Sequence, residues 1–261
     1  MSAKKASSQL RADRLLVSRG VGGRKEVQKL LRRGHVLYQG EELRNPSKHI
    51  PIDASLVIDG EPCESLPTLI VYHKPLHQLC TLKDPWGRSG LDHVLPPLWR
   101  ESFHPVGRLD ADTSGLLLFS SDGTLTQYLL HPKRNLARRY RAVVAGLPTD
   151  LSQKLETGVE TSLGTFTAKV EKIETFSSNL HQQYFIDIAQ KKMDLPSAKG
   201  VVYLTVTEGK YRMVRRMLHN AGASVLALHR EVYGHIELGE LDIGTYRLVT
   251  EAELLALKPV H

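Results

Sequence analysis

The sequence is short of cysteine and of long apolar runs, and each shortage narrows what it can be. Only Cys63 and Cys80 occur among 261 residues. Two thiols make neither a disulfide framework nor a cysteine zinc site, so they read as reduced thiols in a reducing compartment. The longest apolar stretches, such as residues 116–119, are strand-sized. None approaches the ~20 residues that a bilayer-spanning helix needs. The opening Met1-Ser-Ala-Lys-Lys-Ala-Ser-Ser holds no apolar segment, so no secretory signal is expected. It is short, basic and free of acids, which leaves the remnant of an organelle transit peptide open. Internal repeats and low-complexity tracts are also absent. His73 and His77 have the i, i+4 spacing of helical metal ligands, but Lys74-Pro75 between them opposes a helix and no third ligand is evident. No metal site is expected.

What is present is an uneven charge. The chain carries a net +7, and residues 1–60 hold 12 basic against 6 acidic side chains. Nearly all of the excess therefore sits in the first quarter, as in a polyanion-binding module. A solvated basic surface without a partner would look the same on charge alone.

Glycines mark the local structure. Residues 11–19 read as a short amphipathic helix ended by Gly20. Residues 24–33 read as a second helix, with Val27, Leu30 and Leu31 at i, i+3, i+4 and Gly34 closing it. Short strands are expected at 35–39 and 55–58, and residues 60–68, with two prolines, read as a linker. Beyond it, strands are expected at 69–72, 115–120, 140–145, 165–173, 183–188 and 201–206. Helices are expected at 123–130, 152–156 and 211–220. Strands in runs with interspersed helices predict an α+β fold around a mixed, mainly antiparallel sheet, not a doubly wound one.

Clustered polar groups bounded by glycine are densest at residues 104–115, His-Pro-Val-Gly-Arg-Leu-Asp-Ala-Asp-Thr-Ser-Gly. The loop feeds Leu116-Leu117-Leu118-Phe119, which is apolar on both faces and so belongs to a central strand. A polar loop on a buried strand can hold a reactive group rigidly. A plain turn capped by Asp112 or Thr113 is the structural alternative. Two further basic stretches follow. Residues 131–141 hold five Lys or Arg, no acid and one tyrosine, and residues 208–216 hold four bases and one acid. An aromatic among bases can stack on a nucleobase while the bases hold phosphates.

These segments carry a specific resemblance. Gly107-Arg-Leu-Asp110-x-x-Thr-Ser-Gly-Leu-Leu-Leu, Asp122-Gly, His131-Pro132, Arg138-Arg-Tyr140, Glu208-Gly-Lys-x-Arg-x-Val-Arg-Arg-Met217 and Leu228-His-Arg230 ahead of Gly234 occur in one order. Together they resemble the RsuA-type family of ribosomal RNA pseudouridine synthases, over roughly residues 10–250. Residues 10–58, with Arg11-x-Asp-x-Leu-Leu16 and Gly34-His-Val-Leu-Tyr-Gln-Gly40, resemble the αL RNA-binding domain that this family carries at its N-terminus. The resemblance implies an αL-type domain at 10–60 and a catalytic domain at 68–258. It implies that Asp110 is the catalytic aspartate, that Tyr140 stacks on the target uracil and handles a proton, and that Arg215 pairs with the aspartate. Leu228 would wall the pocket and Arg108 would help to hold the displaced nucleotide. Arg11, Arg14, Arg24, Lys25, Lys29, Arg32 and Arg33, with Lys210, Arg212 and Arg216, are the expected RNA contacts. The chain departs from the family at Met213, where Gln is usual, at Arg138, where Lys is usual, and at His77, where Gly is frequent. Residues 176–200 are longer than the usual hairpin loop and have no assigned role.

The implied reaction breaks the bond from uracil N1 to ribose C1′, rotates the base and joins C5 to C1′. Nothing is oxidised and no group is donated, so no cofactor is expected. The expected partner is structured RNA, ribosomal RNA above all, engaged by a cytoplasmic monomer without a membrane. The rival expectation is a non-catalytic RNA-binding protein that keeps this fold and assists ribosome assembly.

Overall fold

The computed structural model describes residues 9–64, 66–82, 84–96, 99–100, 102–177 and 197–257. The expected strand at 183–188 lies outside them. The chain divides into two units, one of Met1–Thr68, Leu95–His104 and Ser120–Asp122, the other of Leu69–Val94, Pro105–Phe119 and Gly123–His261.

The first unit opens with β1 (Gln9–Arg11), α1 (Ala12–Ser18) and α2 (Arg24–Arg32). β2 (Val36–Tyr38), β3 (Glu41–Glu42), β4 (His49–Pro51), β5 (Leu56–Ile58) and β6 (Glu61–Cys63) follow. β1 pairs with β4, and the other strands form a sheet in the order β3-β2-β5-β6. Leu15, Leu16, Val27, Leu31, Val36, Ile50 and Leu56 make the core. The two helices are tied by one carboxylate. Arg11 forks onto Asp13 at 3.0 and 2.8 Å, and Gln28 Nε2 donates to the same carboxylate at 3.0 Å. The Arg11 hydrogen bonds outweigh burial and hold Asp13 well below the usual carboxylate range. Arg14, Arg24, Lys25, Lys29, Arg32 and Arg33 are exposed. Part of the expected linker is β6, which pairs with β5. Pro62 fits there because β6 is an edge strand, where a missing N–H costs no ladder bond.

Among the described residues, the second unit is built on a sheet of nine strands. In chain order its elements are β7 (Leu69–Lys74), β8 (His104–Pro105), β9 (Thr113–Ser120), α3 (Gly123–Leu130), β10 (Arg138–Val144) and α4 (Leu151–Thr157). Then come β11 (Val159–Thr161), β12 (Gly164–Phe166), β13 (Lys169–Thr175), β14 (Gly200–Val206) and α5 (Met213–Asn220). β15 (Val225–Tyr233), β16 (Ile236–Glu237), β17 (Tyr246–Leu248) and α6 (Glu251–Leu257) complete it. The strand order is β13-β14-β10-β15-β9-β7-β17, with β8 beside β9 and β16 beside β15, while β11 and β12 form a separate hairpin. Neighbours pair antiparallel at β13/β14, β14/β10, β10/β15 and β17/β7, and parallel at β15/β9. The fold is thus the expected mixed, mainly antiparallel α+β type. Every residue of β9 is buried, as its two apolar faces require. The single strand expected at 165–173 is two, because residues 167–168 leave the ladder between β12 and β13. Leu116, Leu118, Leu125, Leu129, Tyr233 and Leu257 lead one side of the core.

Candidate active site

The loop before β9 is fixed from several directions. The Thr113 N–H donates to Asp110 O at 3.0 Å and closes a turn around Asp110. The His77 N–H donates to Ala111 O at 2.6 Å, and the Leu109 N–H donates to Cys80 Sγ at 3.2 Å. Beneath it, Lys74 is fully buried, and its Nζ donates to Pro75 O and Thr113 O at 2.8 and 2.9 Å. Burial pushes the Lys74 ammonium down to about 8. Gly115 lets β9 approach β15. Its φ is +105°, and a Cβ there would fall 2.2 Å from the Arg230 carbonyl oxygen.

Across this loop lies a pocket of about 430 Å³. That is room enough for a small ligand or a single nucleoside. Asp110 and Arg108 enter from the loop, Tyr140 from β10, Leu228 and Arg230 from β15, Lys210 and Arg212 from the turn before α5, and Arg215 from its first turn. Tyr140 and Leu228 are 8% and 4% exposed, so they offer a nearly dry wall beside the half-buried Asp110. In the ladder Tyr140 pairs with Arg230 and Ala142 with Leu228. The pocket therefore gathers the five residues expected to form the catalytic site and substrate pocket, together with Lys210 and Arg212 from the expected RNA contacts. Arg216 is not among the lining residues. It donates to Ser162 Oγ, and its guanidinium sits 5.6 Å from the Tyr211 ring centroid.

One expectation is corrected here. Arg215 does not form its ion pair with Asp110. Its Nε stands 3.4 Å from Asp112 Oδ2, and its Nη2 donates to the Asp112 backbone oxygen at 2.5 Å. Arg212, expected to bind RNA, forks onto the same carboxylate at 3.2 and 2.8 Å. Asp112 lies two residues nearer to β9 than Asp110 and meets the start of α5 directly, so it collects both arginines. Arg11 likewise directs its fork to a carboxylate, that of Asp13.

The electrostatics follow from this arrangement. Burial pushes the Asp110 carboxyl up, Arg212, Arg215 and Arg108 pull it back, Asp112 adds to the rise, and the balance remains above the ordinary value. Burial raises Asp112 as well, but the Arg212 hydrogen bonds and the Arg215 charge outweigh it and leave it lowered. Two carboxylates two residues apart are thereby shifted in opposite directions, Asp110 up and Asp112 down.

The departures from the family pattern have visible settings. Met213 is 3% exposed and packs in the pocket wall. Arg138 donates to Thr207 O at 3.0 Å and to Tyr233 Oη at 3.3 Å. His77 has φ +64°, a left-handed backbone that favours glycine, which is why glycine suits this place. The sequence reading gave Lys74 no role, took Asp112 only as a turn cap and placed Arg230 in a motif without assigning it a function. The signals were a lysine ending an apolar strand, a second acid beside Asp110, and an arginine two residues after Leu228.

Comparisons with known proteins agree with one another. A family profile described as RNA pseudouridylate synthase matches residues 68–220. An uncharacterized RNA pseudouridine synthase of Bacillus subtilis, YtzG, is 32% identical over 252 residues, which cover 94% of this chain and 97% of that protein. The ribosomal large subunit pseudouridine synthase B of Escherichia coli K12 is 32% identical over 233 residues, covering 86% and 74% of the two chains. A crystal structure of a pseudouridylate synthase shares the fold, with a TM-score of 0.60 at 24% identity over 95% of this chain and all of that one.

Proposed function

The chain belongs to the RNA pseudouridylate synthases, in the RsuA-type family, and on that premise we propose that it converts a uridine of ribosomal RNA to pseudouridine with Asp110 as its catalytic carboxylate. The observation that carries the site is the convergence of Asp110, Tyr140, Arg215 and Leu228 on one pocket. The target base has to leave its stack, at a cost of a few kcal/mol, and stacking on Tyr140 recovers part of that. Asp110 then acts at the sugar or the base as nucleophile or charge partner. Arg212 and Arg215, clamped by Asp112, oppose the effect of burial and favour its ionised form. Arg108 is exposed and lines the pocket, which supports its reading as a residue that holds the displaced nucleotide.

The first unit is read as an αL-type RNA-binding domain. Support comes from its two helices, its short strands and the exposed Arg14, Arg24, Lys25, Lys29, Arg32 and Arg33. The names of the relatives favour large-subunit ribosomal RNA as the substrate. The work is assigned to a cytoplasmic monomer. No described helix is long and apolar enough to cross a membrane. The test is direct. Unmodified large-subunit ribosomal RNA labelled with tritium at uridine C5 should release tritium on incubation with the protein, because C5 loses its hydrogen when it joins C1′. Release equal to a no-enzyme control would reject the reading and leave a non-catalytic RNA-binding role.

A further inference from the structure

One buried cation in the pocket has no part in the chemistry described so far. Arg230 is 3% exposed and stands across the β10/β15 ladder from Tyr140. Leu228, two residues earlier, points to the same face of β15. The Arg230 Nε donates to Leu116 O at 2.8 Å, and the guanidinium lies 5.3 Å from the Tyr233 ring centroid. Among the described residues no carboxylate forms an ion pair with it, and its Nη2 is buried without a hydrogen-bond partner. A guanidinium has five N–H donors and keeps its charge. Buried charges are as a rule paired, because burying one alone is costly. The neighbouring side chains do not relieve it. Lys74 is also fully buried, and Arg138 shares the Tyr233 ring at 5.0 Å. An arginine in this state, in the wall of a pocket, is completed by a ligand that brings electron-rich oxygen.

Resting on the reading that Tyr140 stacks the flipped uracil, we infer that Arg230 is a substrate-binding residue that holds a uracil carbonyl oxygen and stabilises the charge the base acquires. When the N1–C1′ bond breaks, its electron pair stays with the base and spreads onto O2 and O4. Rotation brings C5 to C1′, and the pair of electrons forming the new bond comes from the base. The C5 proton then departs and N1 gains one, so the base ends neutral. Arg230 takes part in no bond change. It is a fixed donor placed where negative charge develops.

The experiment compares wild type, Arg230→Met and Arg230→Lys in single turnover. Each meets RNA carrying uridine, 2-thiouridine or 4-thiouridine at the target, since sulfur accepts hydrogen bonds poorly. Arg230→Met should slow turnover about a hundredfold, the loss seen when a comparable oxyanion donor is removed. RNA affinity and its salt slope should hold, and Arg230→Lys should recover part of the rate. One of the two thio-substitutions should slow the wild type strongly and slow Arg230→Met little further, because the contact is already gone. A purely structural arginine would give thio effects that multiply with the mutation at both positions, and that result overturns the inference. So does turnover of Arg230→Met within threefold of wild type. Weaker RNA binding with a shallower salt slope would make it a phosphate contact instead. Wild type that forms no pseudouridine on the uridine RNA fails the functional reading itself, which this control separates from the rest.

Discussion

Replacing Asp112 with Asn tests the clamp that the structure places beside the reactive carboxylate. Asp112 Oδ1 and Oδ2 take the Arg212 fork at 3.2 and 2.8 Å, and Arg215 Nε lies 3.4 Å from Oδ2. The side chains of Arg212, Arg215 and Asp112 are 36%, 11% and 42% exposed, so the cluster is neither fully wet nor buried. Exposed pairs contribute ~0–1 kcal/mol and breaking buried ones costs ~3–5 kcal/mol, which puts this loss at about 1–2 kcal/mol. For a chain of this size that lowers Tm by roughly 3–6 °C. Turnover should fall by about tenfold or more, because ~1.4 kcal/mol of lost alignment is a factor of ten. Arg212 starts α5 with a left-handed φ of +52°, and among the described residues its side chain donates hydrogen bonds only to Asp112. The pH profile separates this from a protonation effect. Asp112 raises the Asp110 carboxyl, so removing its charge moves the acidic limb down. Thermal melts and single-turnover rates across pH give both readings. A lower Tm with turnover within threefold of wild type would refute the clamp's part in catalysis.

Arg212→Met and Arg215→Met should each move the acidic limb of the turnover profile upward, Arg212→Met by more, because Arg212 is the stronger of the two influences lowering Asp110; equal turnover and unmoved limbs would reject the assignment. His77→Gly should leave Tm and turnover near wild type, since glycine accepts φ +64°. His77→Val should lower Tm by several degrees, as a β-branched residue is strained there by ~1–2 kcal/mol, and a Val variant as stable as wild type would contradict this. Glu253 takes the Arg247 fork at 2.9 and 2.7 Å, which holds its carboxyl down to about 2. Its contribution to stability is therefore complete above its ordinary value of 4.5 and is lost as the pH falls toward 2, so Glu253→Gln should flatten the dependence of Tm on pH in that window.

The elements that were legible in the sequence are those in which one periodicity or one boundary residue dominates. The helix expected at 123–130 is α3 to the residue, and the all-apolar run at 116–119 announced the buried centre of β9. β15 was not legible, although it is the longest of the described strands and joins β10 to β9. Its run contains His229-Arg230-Glu231, which hydropathy reads as surface. Two of those polar groups, His229 and Glu231, are settled by partners distant in sequence. His229 Nδ1 meets Ser114 Oγ at 2.9 Å, and Glu231 pairs with Arg141 at 3.3 Å and with Arg139 at 3.3 Å. The site behaved in the same way. Asp110 and Tyr140 could be named from motifs that lie on their own segments. The choice of Asp112 over Asp110 by Arg212 and Arg215 depends on where α5 begins, and the left-handed Arg212 that sets that start carries no glycine to mark it. α5 consequently opens at Met213 rather than at 211.

The most direct test of the account is the rate of pseudouridine formation by Asp110→Asn beside wild type, in single turnover on saturating ribosomal RNA. Asn keeps the size of the side chain and removes the charge, and Asp110 lies in the pocket without an ion pair to another described residue that its loss would strand. The account predicts that the variant binds the RNA within threefold of wild type, melts at a similar temperature and forms no pseudouridine above background. Turnover within tenfold of wild type would contradict it.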